Sequence, residues 1–123
     1  MLAKKYRLNL SQSINQQLFE PGQAQGFQTP HLRFLLREQG QLLLTATKLA
    51  VVIPRKVITK ASQRVKWRRQ LYGLLEQLLK PYFHSPSPHQ PYFELIIVLR
   101  KPASSQEQLK EELQLALNHY ALI

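Results

Sequence analysis

Seven positively charged side chains are concentrated in one short stretch of the chain, between residues 55 and 69. They are seven of its 17 lysine and arginine residues, and no aspartate or glutamate occurs from residue 39 to residue 75. Concentrated positive charge without a local counter-charge is typical of a site for a polyanion. The candidate polyanion-binding residues are Arg55, Lys56, Lys60, Arg64, Lys66, Arg68 and Arg69.

The spacing of these cations favours a binding surface over an ordinary solvated helix face. Lys60, Arg64 and Arg68 follow one another at intervals of four residues. Each like-charged pair at that spacing destabilises an isolated helix by roughly 0.2–0.5 kcal/mol, and a bound anion relieves the repulsion. The planar guanidinium of arginine also matches phosphate geometry better than a point charge does. We therefore expect this stretch to bind RNA.

Aromatic side chains beside basic ones form a second candidate surface. Sheet faces that carry both can stack unpaired bases and follow a nucleic-acid backbone. Arg33 and Phe34 lie on a predicted strand, and Phe19 lies on a predicted helix before it. Phe34 is on the apolar side of its strand, where a core position is the commoner role for an aromatic residue.

Residues for catalysis are nearly absent from the sequence. The chain has no aspartate and no cysteine, and its seven glutamates are scattered. The four histidines show no metal-ligand spacing, and four glycines are too few for a phosphate-binding loop. The sequence therefore predicts no catalytic residue and no metal site on the protein, so that a partner would have to supply any chemistry.

The overall composition predicts one basic domain spanning residues 1–123. The formal net charge is +10 and the isoelectric point is near 10.2, which is typical of nucleic-acid-binding domains. No apolar run approaches the roughly 20 residues of a membrane helix, and the N-terminus does not resemble a secretory signal. We expect a soluble protein of the cytoplasm.

Hydrophobic periodicity and turn residues divide the chain into seven elements. Alternation predicts a strand over 31–38 with one buried face, and an apolar run predicts a strand buried on both faces over 93–101. A stripe containing Trp67, Leu71 and Leu75 predicts a helix over 61–79, and Ser104 with Glu107 has the form of a helix-capping box. The other predicted elements are a helix over 11–20, strands within 23–29 and over 41–53, and a final helix after residue 104. This order, α-β-β-β-α-β-α, predicts an α+β fold in which three helices pack on a mixed sheet of about four strands.

Three stretches, in this order, resemble the protein component of bacterial ribonuclease P. The start of the chain, LAKKYRL, is similar to that family's leading segment, and 96–102 (IIVLRKP) is similar to a later strand. The most specific stretch is 51–71, with its apolar strand, Arg55-Lys56, Lys60-Ala61 and a cationic helix start. Two departures are Val65, where the family usually has the asparagine of an Arg-Asn-Arg motif, and Thr59, where glycine is common.

The resemblance implies a function and a fold. Ribonuclease P removes the 5′ leader from precursor tRNA, its RNA subunit performs a Mg²⁺-dependent hydrolysis, and the protein is an accessory subunit that is inactive alone. It implies that the seven cations at 55–69 dock on ribonuclease P RNA, and that Phe19, Arg33 and Phe34 contact the leader in a cleft between the first helix and the sheet. It also implies a left-handed βαβ crossover, a rare handedness.

Three alternatives remain open from the sequence. Another RNA-binding protein, such as a ribosomal or ribosome-assembly protein, would share the composition. A protein-only nuclease would need acidic metal ligands or an active histidine. A basic protein on an anionic membrane surface fits least, because the cationic segment continues into a core-packed helix. No membrane partner is expected, and no protein partner is indicated.

Overall fold

The computed structural model describes residues 25–38, 47–80 and 93–122. The predicted helix over 11–20, the basic segment before it and the proline-rich stretch 84–91 (HSPSPHQP) lie outside the described residues. The described residues form six helices and strands, each numbered in chain order. They are β1 (Gln25–Gln28), β2 (Leu32–Glu38), β3 (Lys48–Val52), α1 (Ala61–Leu78), β4 (Phe93–Leu99) and α2 (Gln106–His119).

The four strands form one mixed sheet in the order β1-β2-β4-β3. β1 pairs with β2, and β2 with β4, in antiparallel fashion, whereas β3 runs parallel to β4. A parallel neighbour requires a crossover connection, which α1 provides between β3 and β4. The predicted α+β class and the mixed four-stranded sheet are confirmed, and the left-handed crossover stays a prediction of the resemblance.

One face of the sheet packs against both helices and forms the main core. Leu32, Phe34 and Leu36 alternate onto this face of β2, as predicted, and each is at most 1% exposed. Leu71 and Leu75 from α1 join the same cluster. The apolar side of the last helix is also buried there, through Leu109, Leu113, Ala116, Leu117 and Tyr120.

The opposite face of the sheet carries a second apolar cluster, so the prediction that β2 has one buried face is wrong. Leu35, Ala50 and Ile96 are at most 5% exposed and lie side by side on the three neighbouring strands. Val52 and Val98 extend this cluster. The prediction that 93–101 is buried on both faces is confirmed for β4, which ends slightly earlier, at Leu99.

The helix ends differ in how they are capped. α1 begins at Ala61 and ends at Leu78, one residue before the predicted end. The predicted capping box of α2 is wrong by one residue, because Ser105 is the N-cap and its hydroxyl accepts a hydrogen bond from the backbone N–H of Gln108. The Gln108 side chain in turn accepts hydrogen bonds from the N–H and hydroxyl of Ser104.

A buried carboxylate joins α2 to the turn between β1 and β2. Glu112 accepts a hydrogen bond of 2.8 Å from the backbone N–H of His31 and lies 2.6 Å from its Nδ1. Burial alone would raise the pKa of Glu112, but hydrogen bonds involving Thr29 and His31, with the charge of the His31 ring, outweigh it and lower that pKa. The contact fixes the end of the sheet against α2.

Two tyrosines connect the helices to the edge strands of the sheet. The Tyr72 hydroxyl accepts a hydrogen bond of 3.2 Å from the N–H of Val51 on β3. The Tyr120 hydroxyl donates a bond of 2.8 Å to the carbonyl of Gln25 on β1, and burial raises the pKa of Tyr120 to about 12. Both edges of the sheet are therefore tied to a helix by a buried tyrosine.

Candidate nucleic-acid interface

A tight turn presents the first two cations of the basic stretch. The Pro54 carbonyl accepts hydrogen bonds from the N–H groups of Val57 (3.0 Å) and Ile58 (3.1 Å). Ile58 is 7% exposed and belongs to the main core, so its side chain anchors the turn to that core. Arg55 and Lys56 are exposed at its tip. Both cations are therefore displayed on ordered backbone.

The third cation stands at the N-terminus of α1, where a helix ordinarily favours negative charge. Lys60 is the N-cap residue, makes no side-chain capping bond, and is followed by a first turn without an acidic residue. α2 has the usual arrangement, with Ser105 as the cap, Glu107 in the first turn and His119 in the last. Because the N-terminal helix dipole is positive, it adds to the positive potential around Lys60.

Arg64 joins the helix to the preceding loop. One guanidinium nitrogen, Nη1, donates hydrogen bonds to the carbonyls of Ile58 (3.0 Å) and Thr59 (2.7 Å). The sequence predicted Arg64 only as a contact for RNA, and no pattern in the sequence indicated these two bonds. The structure therefore gives Arg64 a second role, because it holds the loop that carries Arg55, Lys56 and Lys60.

The remaining three cations spread around the exposed side of α1. Lys66 and Arg69 are exposed and Arg68 is half-buried. Val65 lies among them with 41% of its surface exposed, although it is apolar. No carboxylate of the described residues forms an ion pair with any of the seven cations. Within the part of the chain that the structure describes, the positive charge of this surface is therefore uncompensated.

The three residues predicted to contact the leader do not share one surface. Phe34 is fully buried in the main core, so it offers no face to a base and the prediction of a contact there is wrong. Arg33 is exposed and points to the opposite face of the sheet, because side chains alternate along a strand. Phe19 lies outside the described residues.

Arg33 belongs to the sheet face that carries the second apolar cluster. At the other side of this cluster, Arg37 forms an ion pair with Glu94 on the adjacent strand, and both side chains are mostly buried. The Arg37 Nε and Nη2 atoms lie 3.0 Å and 2.5 Å from Glu94 Oε1. Neither this pair nor the His31–Glu112 pair was predicted from the sequence, because their partners are 57 and 81 residues apart in the chain.

The described residues contain no arrangement of donors that fits a resident metal ion. No group of three or more histidine, aspartate or glutamate side chains comes together within them. The two buried glutamates are already engaged, Glu94 with Arg37 and Glu112 with His31. These residues therefore offer no cage of carboxylates of the kind that Mg²⁺ requires.

Comparison with known proteins assigns the chain to a family. The family model described as Ribonuclease P matches residues 2–121. The chain belongs to the ribonuclease P protein family. It is thus an accessory protein subunit of a ribonucleoprotein endoribonuclease that processes tRNA, and the alternative of a ribosomal or ribosome-assembly protein is not favoured.

Two solved ribonuclease P proteins share the fold at low sequence identity. The protein from Thermotoga maritima is 19% identical and superposes with a TM-score of 0.69, over 92% of this chain and 96% of that one. The protein from Staphylococcus aureus is 15% identical with a TM-score of 0.70, over 95% and 96% of the two chains. No curated protein sequence matches the chain. The ribonuclease P protein fold is therefore retained on a widely diverged sequence.

Proposed function

We propose that the seven cations at residues 55–69 dock this subunit on ribonuclease P RNA. The observation that carries the proposal is that no described carboxylate pairs with these cations, which stand at the tip of a hydrogen-bonded turn and along the first turns of α1. Seven phosphate contacts would make RNA binding strongly salt-dependent, because each contact releases condensed counterions. Arg64 contributes both its charge and the shape of the loop.

We propose that the sheet face with Arg33 receives the single-stranded leader of precursor tRNA. Arg33 provides a phosphate contact beside the partly exposed apolar side chains of Val98 and Val52 on the neighbouring strands. Single-stranded nucleic acid is commonly held by a cation next to an apolar or aromatic platform. Phe34 is removed from this proposal by its burial, whereas Phe19 remains in it.

The Mg²⁺ of the holoenzyme is, in this proposal, held by the RNA. When bound there, it supplies the charge that activates and orients the attacking water in phosphodiester hydrolysis. The protein's own residues neutralise phosphate and position the substrate.

Neither described helix is long and apolar enough to cross a membrane. We expect the subunit to act in the cytoplasm.

A pair of charge reversals tests the docking surface. Arg69→Glu lies within the cationic surface, and Lys80→Glu makes the same charge change beyond the end of the helix. We expect Arg69→Glu to weaken binding of ribonuclease P RNA by at least about tenfold in a filter-binding titration, and Lys80→Glu to change it by less than about threefold. Equal losses for the two variants would contradict the proposed surface, because they would show only an effect of net charge.

A further inference from the structure

A groove of about 650 Å³ borders α1 on the flank away from Arg64 and Arg68. Gln63, Lys66 and Gln70 line the groove, and the 3.6-residue turn of an α-helix puts them on one flank of α1. The same spacing puts Arg64 and Arg68 on the other flank. The groove is therefore distinct from the surface formed by the seven cations, and Lys66 is the one residue that belongs to both the groove and that surface.

The lining of the groove combines an aromatic ring with amide groups and a cation. Trp67 is half-buried there, and no described residue accepts a hydrogen bond from its indole N–H. Val57 and Ala103, both partly exposed, add apolar surface, and the start of α2 adds the amide of Gln106. None of the lining residues carries a carboxylate. The groove thus accommodates a flat, partly polar group that carries negative charge.

We propose that this groove binds one unpaired nucleotide of the RNA partner, with the base packed against Trp67 and the phosphate near Lys66. Base stacking on an aromatic side chain is a general means of holding unpaired nucleotides. Glutamine amides provide both donors and acceptors for the edges of a base. The volume falls within the range of about 300–1,000 Å³ for sites of small ligands. The proposal rests on the proposed function, in which the partner is RNA.

Charge complementarity selects a nucleotide over a peptide as the occupant. A basic peptide would lack a carboxylate partner among the lining residues, and an acidic peptide would leave the aromatic surface without a flat partner. A nucleotide uses both features, because its base is planar and its phosphate is anionic. Binding here would also place RNA on a second flank of α1, next to Lys66.

Trp67 is the only tryptophan in the chain, so its fluorescence reports directly on the groove. We expect a short oligoadenylate, titrated into the full-length protein, to quench Trp67 emission saturably. Inorganic tripolyphosphate should compete through its charge but should not quench, because it has no base to stack. Quenching by tripolyphosphate to the same extent, or quenching by oligoadenylate that never saturates, would overturn the proposal.

A matched pair of variants distinguishes nucleotide binding in the groove from an effect of net charge on nucleotide binding. Gln70→Glu adds a carboxylate inside the groove without changing side-chain size, and Gln77→Glu makes the same change two turns further along the same flank. We expect Gln70→Glu to weaken the oligoadenylate titration at least about fivefold and Gln77→Glu less than about twofold. Equal effects would overturn the assignment of the groove.

The cleavage of precursor tRNA distinguishes failure of the groove from failure of the proposed function. If the protein stimulates cleavage by ribonuclease P RNA but oligoadenylate leaves Trp67 emission unchanged, only the groove proposal is overturned. If oligoadenylate quenches saturably and no cleavage is stimulated, the groove is supported as a nucleotide site and the accessory role fails.

Discussion

Arg64 donates a hydrogen bond of 2.7 Å to the carbonyl oxygen of Thr59, and this bond joins the helix to the loop before it. The same nitrogen reaches the carbonyl of Ile58 at 3.0 Å. Because Thr59 takes part through its backbone, its side chain is free to differ from the glycine common in the family. The loop cations and the helix cations therefore form one preorganised surface.

Replacement of Arg64 should affect folding as well as RNA binding. Arg64→Ala leaves two loop carbonyls without their charged donor, so we expect a loss of about 1–3 kcal/mol in the free energy of unfolding. Arg69→Ala removes the same charge from an exposed position and should change that free energy by less than about 0.5 kcal/mol. Urea unfolding measures both values. Equal midpoints for the two variants would show that the bonds of Arg64 do not stabilise the loop.

Arg33 should discriminate between RNAs with and without a leader. Arg33→Gln removes one phosphate contact, so we expect about threefold to tenfold weaker binding of precursor tRNA to the holoenzyme. Binding of mature tRNA, which has no leader, should stay unchanged. Lys110→Gln on the exposed side of α2 is the control and should leave both affinities as they are. A loss of equal size for both tRNAs would place Arg33 elsewhere in the interface.

The elements that were predicted well are those whose signal is local. The apolar run of β4 and the stripe of α2 depend on residues within one element, so periodicity was sufficient. The cap of α2 was misplaced because Ser104 and Ser105 each have a suitable partner three residues later. Sequence spacing cannot choose between two such registers, whereas packing of the buried helix face can.

The features that could not be predicted depend on contacts between distant parts of the chain. Pairing of His31 with Glu112, and of Arg37 with Glu94, is set by the sheet order and by the packing of α2 on it. Phe34 was predicted to contact the leader from the family resemblance, although its own alternation indicated the core. The burial of Phe34 shows that the local pattern was the better guide.

The His31–Glu112 contact should make stability depend on acid pH. The pKa of Glu112 in the folded protein lies below its ordinary value of 4.5, so in acid the unfolded state binds more protons. The stabilisation is therefore complete above about pH 4.5 and is lost as the pH falls through the folded pKa. Glu112→Gln should flatten this decline in the urea midpoint, whereas Glu111→Gln, at an exposed position on the same helix, should keep it. A decline unchanged in Glu112→Gln would exclude Glu112 as its source.

The Arg37–Glu94 pair should show strong coupling between its partners. Arg37→Met leaves the Glu94 carboxylate mostly buried without this partner, so we expect a loss of about 3 kcal/mol in the free energy of unfolding. Adding Glu94→Leu removes the isolated charge and should recover most of that loss. A double-mutant cycle by urea unfolding measures the coupling, and purely additive losses would argue against a structural role for the pair.

Cleavage of precursor tRNA by a bacterial ribonuclease P RNA shows whether this protein assists the catalytic RNA. The reaction is run at low Mg²⁺, with and without this protein, because neutralisation of phosphate by protein cations matters most when the divalent ion is scarce. We predict that the protein stimulates cleavage when the RNA is present and cleaves nothing when the RNA is omitted. Cleavage by the protein alone, or no stimulation of its cognate RNA, would contradict the account.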